Sequence, residues 1–304
     1  IYNFLAFVLQ FPFGILADHL TDKNHDRLLS SAMMVIAGTL LTMAGSWYAP
    51  VLAGLGNALF HVGGGILAIK EDDRSSFKGR ALGVFVAPGA IGLFLGMLLS
   101  KSPAYMVIKI TVSLIMLVIS GLICLVYGRN SSDYQPAEEK EGRVLAVSVC
   151  CFAVVALRSL VGLGIAYPWK TTTLLSLLSV ICLASGKTLG GFVAARYGMK
   201  KTIVVSLLAS AVCYLLADNV IFGLLALVLF NMTMPLTLYL MAKTMPSQPG
   251  AAFGILTVAL FAGYLPVAFR FVYKVSPVLL GSVSSVISLA VLLYVVRLCG
   301  DDLA

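Results

Sequence analysis

Long apolar runs separated by short polar segments dominate this 304-residue sequence. Each run is near the roughly 20 residues that an α-helix needs to cross a bilayer. Eleven such runs cover residues 1–18, 29–48, 50–69, 80–100, 103–127, 144–166, 170–194, 201–217, 219–244, 250–272 and 275–297. The pattern predicts an all-α polytopic membrane protein.

The longest polar stretch, residues 129–143, separates five of these spans from the other six. It contains proline, serine and charged residues and no apolar run, as expected of a linker. The sequence therefore predicts an N-terminal bundle over residues 1–128 and a C-terminal bundle over residues 144–304.

Composition excludes several classes of protein. Hydrophobic residues make up 60% of the chain and charged residues 11%, and the mean hydropathy is +1.00. A soluble domain is nearer to half apolar and a quarter charged, so an ordinary soluble enzyme and a disordered protein are excluded. The six cysteines lie in or beside apolar runs without metal-ligand spacing. We expect no cofactor, no metal site and no nucleic-acid partner.

The basic residues predict how the chain is oriented. Of the 21 Lys and Arg, fourteen fall on the side that carries the linker and the C-terminus, and five fall on the other side. Basic loops remain in the cytoplasm. We therefore expect a multi-pass protein of the cell (plasma or inner) membrane, with a cytoplasmic linker and C-terminus.

Two segments at equivalent places in the two halves resemble each other. Residues 14–19 (GILADH) follow the first span, and residues 191–201 (GFVAARYGMKK) follow the seventh. Aligning Gly14 with Gly191 places one copy in each half. Two similar halves joined by a polar linker are typical of transporters built from parallel repeats.

These segments resemble the loop motif of the major facilitator superfamily. The first copy keeps the aspartate of the motif as Asp18, whereas the second has Ala195 at that position. The second copy keeps the glycine and basic positions as Arg196, Gly198, Lys200 and Lys201. The resemblance implies two pseudo-symmetric helical bundles and transport by alternating access.

The fourth span is similar to the antiporter motif of that superfamily, with Gly83, Pro88 and Gly92 at its small and kinking positions. Residues 54–65 and 79–81 resemble the fosmidomycin-resistance branch, whose members are drug exporters. The superfamily's loop motif follows the second helix of each half, but no span precedes the first one here. The resemblance therefore implies eleven of twelve helices, with the first absent.

Arg158 is the strongest candidate for contact with a substrate. It lies fourteen residues into its span, roughly 21 Å along the helix. A guanidinium at that depth is costly unless it faces a wet cavity or an anion. The alternative is that it snorkels outward past small residues.

His61 and Lys187 are further intramembrane candidates. His61 is the intramembrane group that naturally titrates near neutrality, so it could carry a coupling proton. The alternative is a neutral imidazole bonded to a neighbouring backbone. Lys187 could contact a substrate or snorkel to the cytoplasmic side. Two mid-span amides, Asn57 and Asn231, could line a cavity or join helices.

All 13 acidic residues map outside the predicted spans, which leaves no buried carboxylate for a proton relay. We expect Asp18 to face the N-terminus of another helix near Pro249 and to act as a gate.

These features predict a monomeric secondary transporter with a small-molecule substrate, protons and the lipid bilayer as its partners. Proton-coupled export of a drug-like or anionic solute is the activity that the resemblance implies. Uptake of an anionic metabolite is the alternative within transport, and a degenerate, non-transporting membrane protein is the alternative outside it. The sequence contains no glycine-rich ATP-binding motif and no hydrolase motif, so neither a primary pump nor an enzyme is expected.

Overall fold

The computed structural model describes residues 1–20, 37, 49–74, 79–129, 141–272 and 274–300. These residues fold almost entirely into α-helices. In chain order the helices are α1 Tyr2–Val8, α2 Gln10–Leu20, α3 Ala49–Arg74, α4 Arg80–Val86, α5 Pro88–Leu99, α6 Tyr105–Arg129, α7 Glu141–Gly164, α8 Thr173–Tyr197, α9 Met199–Leu215, α10 Val220–Asn231, α11 Thr233–Thr244, α12 Pro249–Ala268 and α13 Pro277–Cys299.

Within the described ranges, nine helical segments are long and apolar enough to cross a membrane. The predicted span 29–48 lies, apart from residue 37, outside the described residues, and so do residues 130–140 of the predicted linker. Each of the other ten predicted spans has a helical counterpart; that of 201–217 is α9, with 17 residues. The prediction of an all-α polytopic membrane protein is confirmed.

Three predicted spans are each interrupted by one non-helical residue, at Leu9, Ala87 and Met232. A proline lies close to each break: Pro12, Pro88 and Pro235. A proline has no N–H to bond to the carbonyl four residues earlier, so it interrupts the helix. At the third break, the N–H of Met232 is shared between the carbonyls of Val228 and Leu229, at 3.2 and 3.3 Å. The chain thus contains discontinuous helices that apolar periodicity alone does not reveal.

Helix α3 continues five residues beyond the predicted span 50–69, as far as Arg74. The expectation that no carboxylate is buried is therefore wrong, because Asp72 lies on this helix and is fully buried. Its carboxylate oxygens accept hydrogen bonds from the backbone N–H groups of Ala81, at 2.8 Å, and Leu82, at 3.0 Å. Such bonds offset the cost of removing a charge from water.

The chain divides into two compact units. The first consists of Ile1–Lys70, Leu95–Glu139 and Met245–Phe261. Within it, α2 and α12 pack backbone to backbone, since a Cβ added at Gly254 would lie 2.7 Å from Gln10 O. Thr257 Oγ1 of α12 also donates a hydrogen bond to Phe7 O of α1, at 3.0 Å.

The second unit consists of Glu71–Phe94, Lys140–Thr244 and Ala262–Ala304. In it α8 packs on α4, α10 and α11, and α7 packs on α11 and α13. Small polar residues join α9 to α13: the hydroxyls of Ser210 and Ser285 lie 3.2 Å apart, and Ser282 donates to Ala211 O at 3.0 Å. Small residues of this kind allow close helix packing inside a membrane.

Candidate functional site

Arg158 is buried in the second unit, 5% exposed, and its guanidinium lies against the start of α11. Nη2 donates to Thr233 Oγ1 at 3.1 Å and to Thr237 Oγ1 at 3.4 Å, and Nη1 donates to Met234 Sδ at 3.1 Å. All three acceptors are neutral. Among the described residues, Arg158 forms no ion pair, and its Nε has no hydrogen-bond partner. Within the described part of the chain, the guanidinium is therefore held in place with no negative charge paired to it.

The hydroxyls that hold Arg158 are already satisfied by backbone carbonyls three residues earlier in the chain. Thr233 Oγ1 donates to Phe230 O at 2.8 Å, and Thr237 Oγ1 donates to Met234 O at 2.9 Å. Each hydroxyl thus points a lone pair, rather than a proton, at the cation. The broken helix provides an acceptor surface that fits a guanidinium.

Lys187 lies on α8 and is half-buried. Gly186 and Gly190 flank it and pack α8 against the break between α10 and α11. A Cβ at Gly190 would lie 2.7 Å from the carbonyl carbon of Met232, and one at Gly186 would lie 3.0 Å from that of Val228. Two cations therefore lie near one broken helix.

Asn231 is the last residue of α10 and is buried beside this break. Its Nδ2 donates to Leu227 O at 2.9 Å, four residues earlier on the same helix. The structure thus brings Arg158, Lys187 and Asn231 into one region of the second unit. Thr233, two residues after Asn231, contacts Arg158 directly.

His61 and Asn57 lie together on α3, in the first unit. His61 Nδ1 lies 3.0 Å from Asn57 O, and because a carbonyl only accepts, the bond requires the tautomer with Nδ1 protonated. Both residues are half-buried, and the ring of Phe60 packs edge-on against the imidazole at 5.6 Å. This contact does not test whether the imidazole carries a coupling proton, and that role stays a prediction.

The first copy of the loop motif holds the start of α12. Asp18, near the end of α2, accepts hydrogen bonds from the backbone N–H groups of Gly250, at 2.9 Å, and Ala251, at 2.8 Å. Gly14 allows this approach, since a Cβ there would lie 3.0 Å from Ala251 N and would overlap Gly250 O. The contact that the sequence predicts near Pro249 is present.

The second copy forms the turn between α8 and α9. Gly198 links the two helices with φ at +89°, a value that favours glycine. Arg196 lies over the ring of Tyr197, 5.5 Å from its centroid. Lys200 and Lys201 are exposed on the first turn of α9.

The antiporter-like span packs closely at α4, but its continuation α5 has few close neighbours among the described residues. A Cβ at Gly83 would lie 2.6 Å from Lys187 O. Pro88 and Gly92 are exposed, and no described atom lies within 4 Å of a Cβ built at Gly92. Among the described residues, close packing through this motif is therefore confined to α4.

Sequence inspection missed Thr237 and Met234 as partners of Arg158. Pro235 could have indicated them: it lies in the middle of an apolar run, where it predicts a helix break and leaves a backbone carbonyl one turn earlier without its helical hydrogen bond. In the described ranges, no group of three or more His, Cys, Asp or Glu side chains is placed to hold a metal ion.

No protein-family model matches the chain, and no curated protein matches it. Its fold, however, is that of the major facilitator superfamily transporters. The structure is similar to that of the E. coli fucose:proton symporter FucP, with a TM-score of 0.67 at 15% identity over 97% of this chain and 89% of that one.

FucP in its outward conformation gives a TM-score of 0.68 at 14% identity, over 97% of this chain and 88% of that one. The human organic anion transporter MFSD10 gives 0.65 at 16% identity, over 97% and 82%. These proteins are transporters rather than enzymes. At such identities the similarity establishes the fold.

Proposed function

We propose that this protein is a secondary active transporter that exports a small anionic or drug-like solute in exchange for protons, by alternating access. The observation that carries the proposal is the buried guanidinium of Arg158, which contacts the broken helix formed by α10 and α11 and has no carboxylate partner among the described residues. Intramembrane cations are rare and mark substrate pathways. Discontinuous helices form the binding sites of many transporters.

The electrostatics of this region favour an anionic substrate. Arg158 and Lys187 are both cations near the same broken helix, and the groups that hold Arg158 are neutral. A carboxylate, sulfonate or phosphate group would accept a hydrogen bond from Nε and balance the positive charge of this region. A neutral solute would leave both charges uncompensated.

The contact of Asp18 with the start of α12 supports alternating access. It joins a helix of the first sequence half to one of the second, through two charge-assisted bonds that break if the helices separate. We assign it as a gate on the cytoplasmic side, the side on which the basic loops cluster. The protein acts as a monomer in the cell membrane.

Counterflow in proteoliposomes tests the proposal. Vesicles loaded with an unlabelled organic anion should accumulate the labelled anion, because exchange needs no net driving force. A proton gradient should then move the anion opposite to proton flow for export, or along with it if the site serves uptake. Fucose is the matched neutral solute, since the structurally similar FucP is a fucose:proton symporter.

Exchange of fucose but not of any anion would overturn the assignment of an anionic substrate. Absence of counterflow for every solute, in protein that remains monodisperse and helical, would favour the non-transporting alternative.

A substitution at His61 tests whether this residue carries the coupled proton. If its imidazole carries the coupled proton, His61→Gln should leave anion exchange intact and abolish the response to an imposed pH gradient. His19→Gln is the matched control, because His19 is exposed at the end of α2. Gradient-driven transport that persists in His61→Gln would assign the proton to another group.

A further inference from the structure

Two helix starts in this protein are built in the same way. At the start of α12, a Cβ at Gly14 would overlap Gly250 O. At the start of α4, a Cβ at Gly191 would overlap Gly79 O and lie 2.8 Å from Arg80 Cα. Because Gly14 and Gly191 are equivalent residues of the two loop copies, each copy places a glycine against the beginning of another helix.

The two helix starts are also capped in the same way, by one carboxylate that accepts two backbone N–H bonds. Asp18 caps α12 through Gly250 and Ala251. Asp72 caps α4 through Ala81 and Leu82. The source of the carboxylate differs: Asp18 belongs to the loop motif, whereas Asp72 comes from α3.

The repeat places the second aspartate at position 195, four residues after Gly191, but alanine occupies that position. We propose that Asp72 replaces the aspartate missing from the second loop copy, so that the protein has two carboxylate latches. Asp72 is then a positioning residue: it holds the start of the Arg80–Leu99 span against α8 and α11. This inference rests on the proposed alternating-access transport.

A second contact holds the end of α3 in place. Asp73, the next residue, pairs with Lys243 of α11 at 2.6 Å, and Lys243 lies over the ring of Tyr239 at 5.5 Å. A Cβ at Gly79 would lie 3.1 Å from Pro235 O. The end of α3 therefore binds α4 through Asp72 and α11 through Asp73.

The latch is connected to the candidate substrate site through two helices. Gly83 of α4 packs against Lys187 O on α8. On α11, Thr237 precedes Lys243 by six residues, roughly 9 Å along the helix. Release of α4 would therefore remove a packing contact from both α8 and α11, the helices that carry the groups around Arg158.

Hydrogen exchange in nanodiscs tests the latch without any need for a known substrate. Asp72→Asn keeps the shape of the side chain but removes its negative charge and replaces one of the two acceptor oxygens with an NH2 donor. We expect the amides of residues 79–86 to exchange about tenfold faster. The packed turns near Lys187 on α8 and Lys243 on α11 should exchange faster as well. Asp218→Asn, at an exposed loop aspartate, is the matched control and should change nothing.

The decisive variant is the double substitution Asp72→Asn with Ala195→Asp, which returns the carboxylate to its place in the repeat. Restored protection of α4, α8 and α11 supports the proposal. Faster exchange confined to residues 79–82, or absence of rescue, overturns it and leaves Asp72 as a local cap. If Asp72→Asn does not fold, recovery of folded protein by Ala195→Asp supports the proposal, and failure of both variants overturns it.

The two proposals can fail separately. An exchange pattern that follows the latch, in protein that moves no solute, would overturn the proposed transport and leave the latch standing. Intact anion counterflow, with exchange in Asp72→Asn equal to that of the unmodified protein, would overturn only the latch.

Discussion

Arg158→Gln should lower anion counterflow at least about 100-fold while leaving the melting temperature unchanged or higher. The substitution removes a buried charge that has no counter-ion among the described residues, and with it the cost of keeping that charge out of water. Thr233 and Thr237 keep their backbone bonds to Phe230 O and Met234 O, so no hydroxyl is left unpaired. A structural arginine would behave in the opposite way.

Two further variants define the role of Arg158. Arg297→Gln makes the same chemical change at an exposed helix end and should affect neither transport nor stability. Arg158→Lys keeps the charge but loses the planar fork, so we expect partial transport with weaker apparent affinity. Normal counterflow in Arg158→Gln, or its loss together with a large drop in melting temperature, would contradict the assignment of a substrate-binding residue.

The outline of this fold could be predicted from the sequence because lipid imposes a length and a polarity on each crossing. The apolar runs locate ten helical spans that the structure describes. The loop repeat locates Gly14 and Asp18, because a glycine followed four residues later by an aspartate suits a close helix-to-helix contact. Arg158 is conspicuous because a charge deep in an apolar run has few structural uses.

The contacts of Arg158 could not be predicted in the same way. They depend on where α10 ends and α11 begins, and hydropathy does not register a one-residue break. The end of α3 was also missed, since Asp72 is charged and falls outside any apolar window. Its burial depends on two N–H groups nine and ten residues later in the chain. Hydrogen-bond partners of this kind can be identified only once the packing of the helices is known.

Gly190→Ala should destabilise the protein by about 3 kcal/mol, the upper end of the usual cost of overpacking. A Cβ there would overlap Met232 O and lie 2.7 and 2.8 Å from the carbonyl carbon and Cα of the same residue. These are backbone atoms at the break between α10 and α11, so no side-chain rotation relieves the clash. We expect a melting temperature several degrees lower and loss of transport, measured on the same purified sample.

Gly162→Ala is the matched control, because Gly162 is exposed on α7 and no described atom lies within 4 Å of its added Cβ. There the methyl group favours the helix by about 1 kcal/mol, so stability should hold or rise. Unchanged stability and transport in Gly190→Ala would mean that α8 does not touch the break in the membrane. That result would contradict the packing that places Lys187 near Arg158. The predicted loss would instead show that transport depends on backbone contact between α8 and the break.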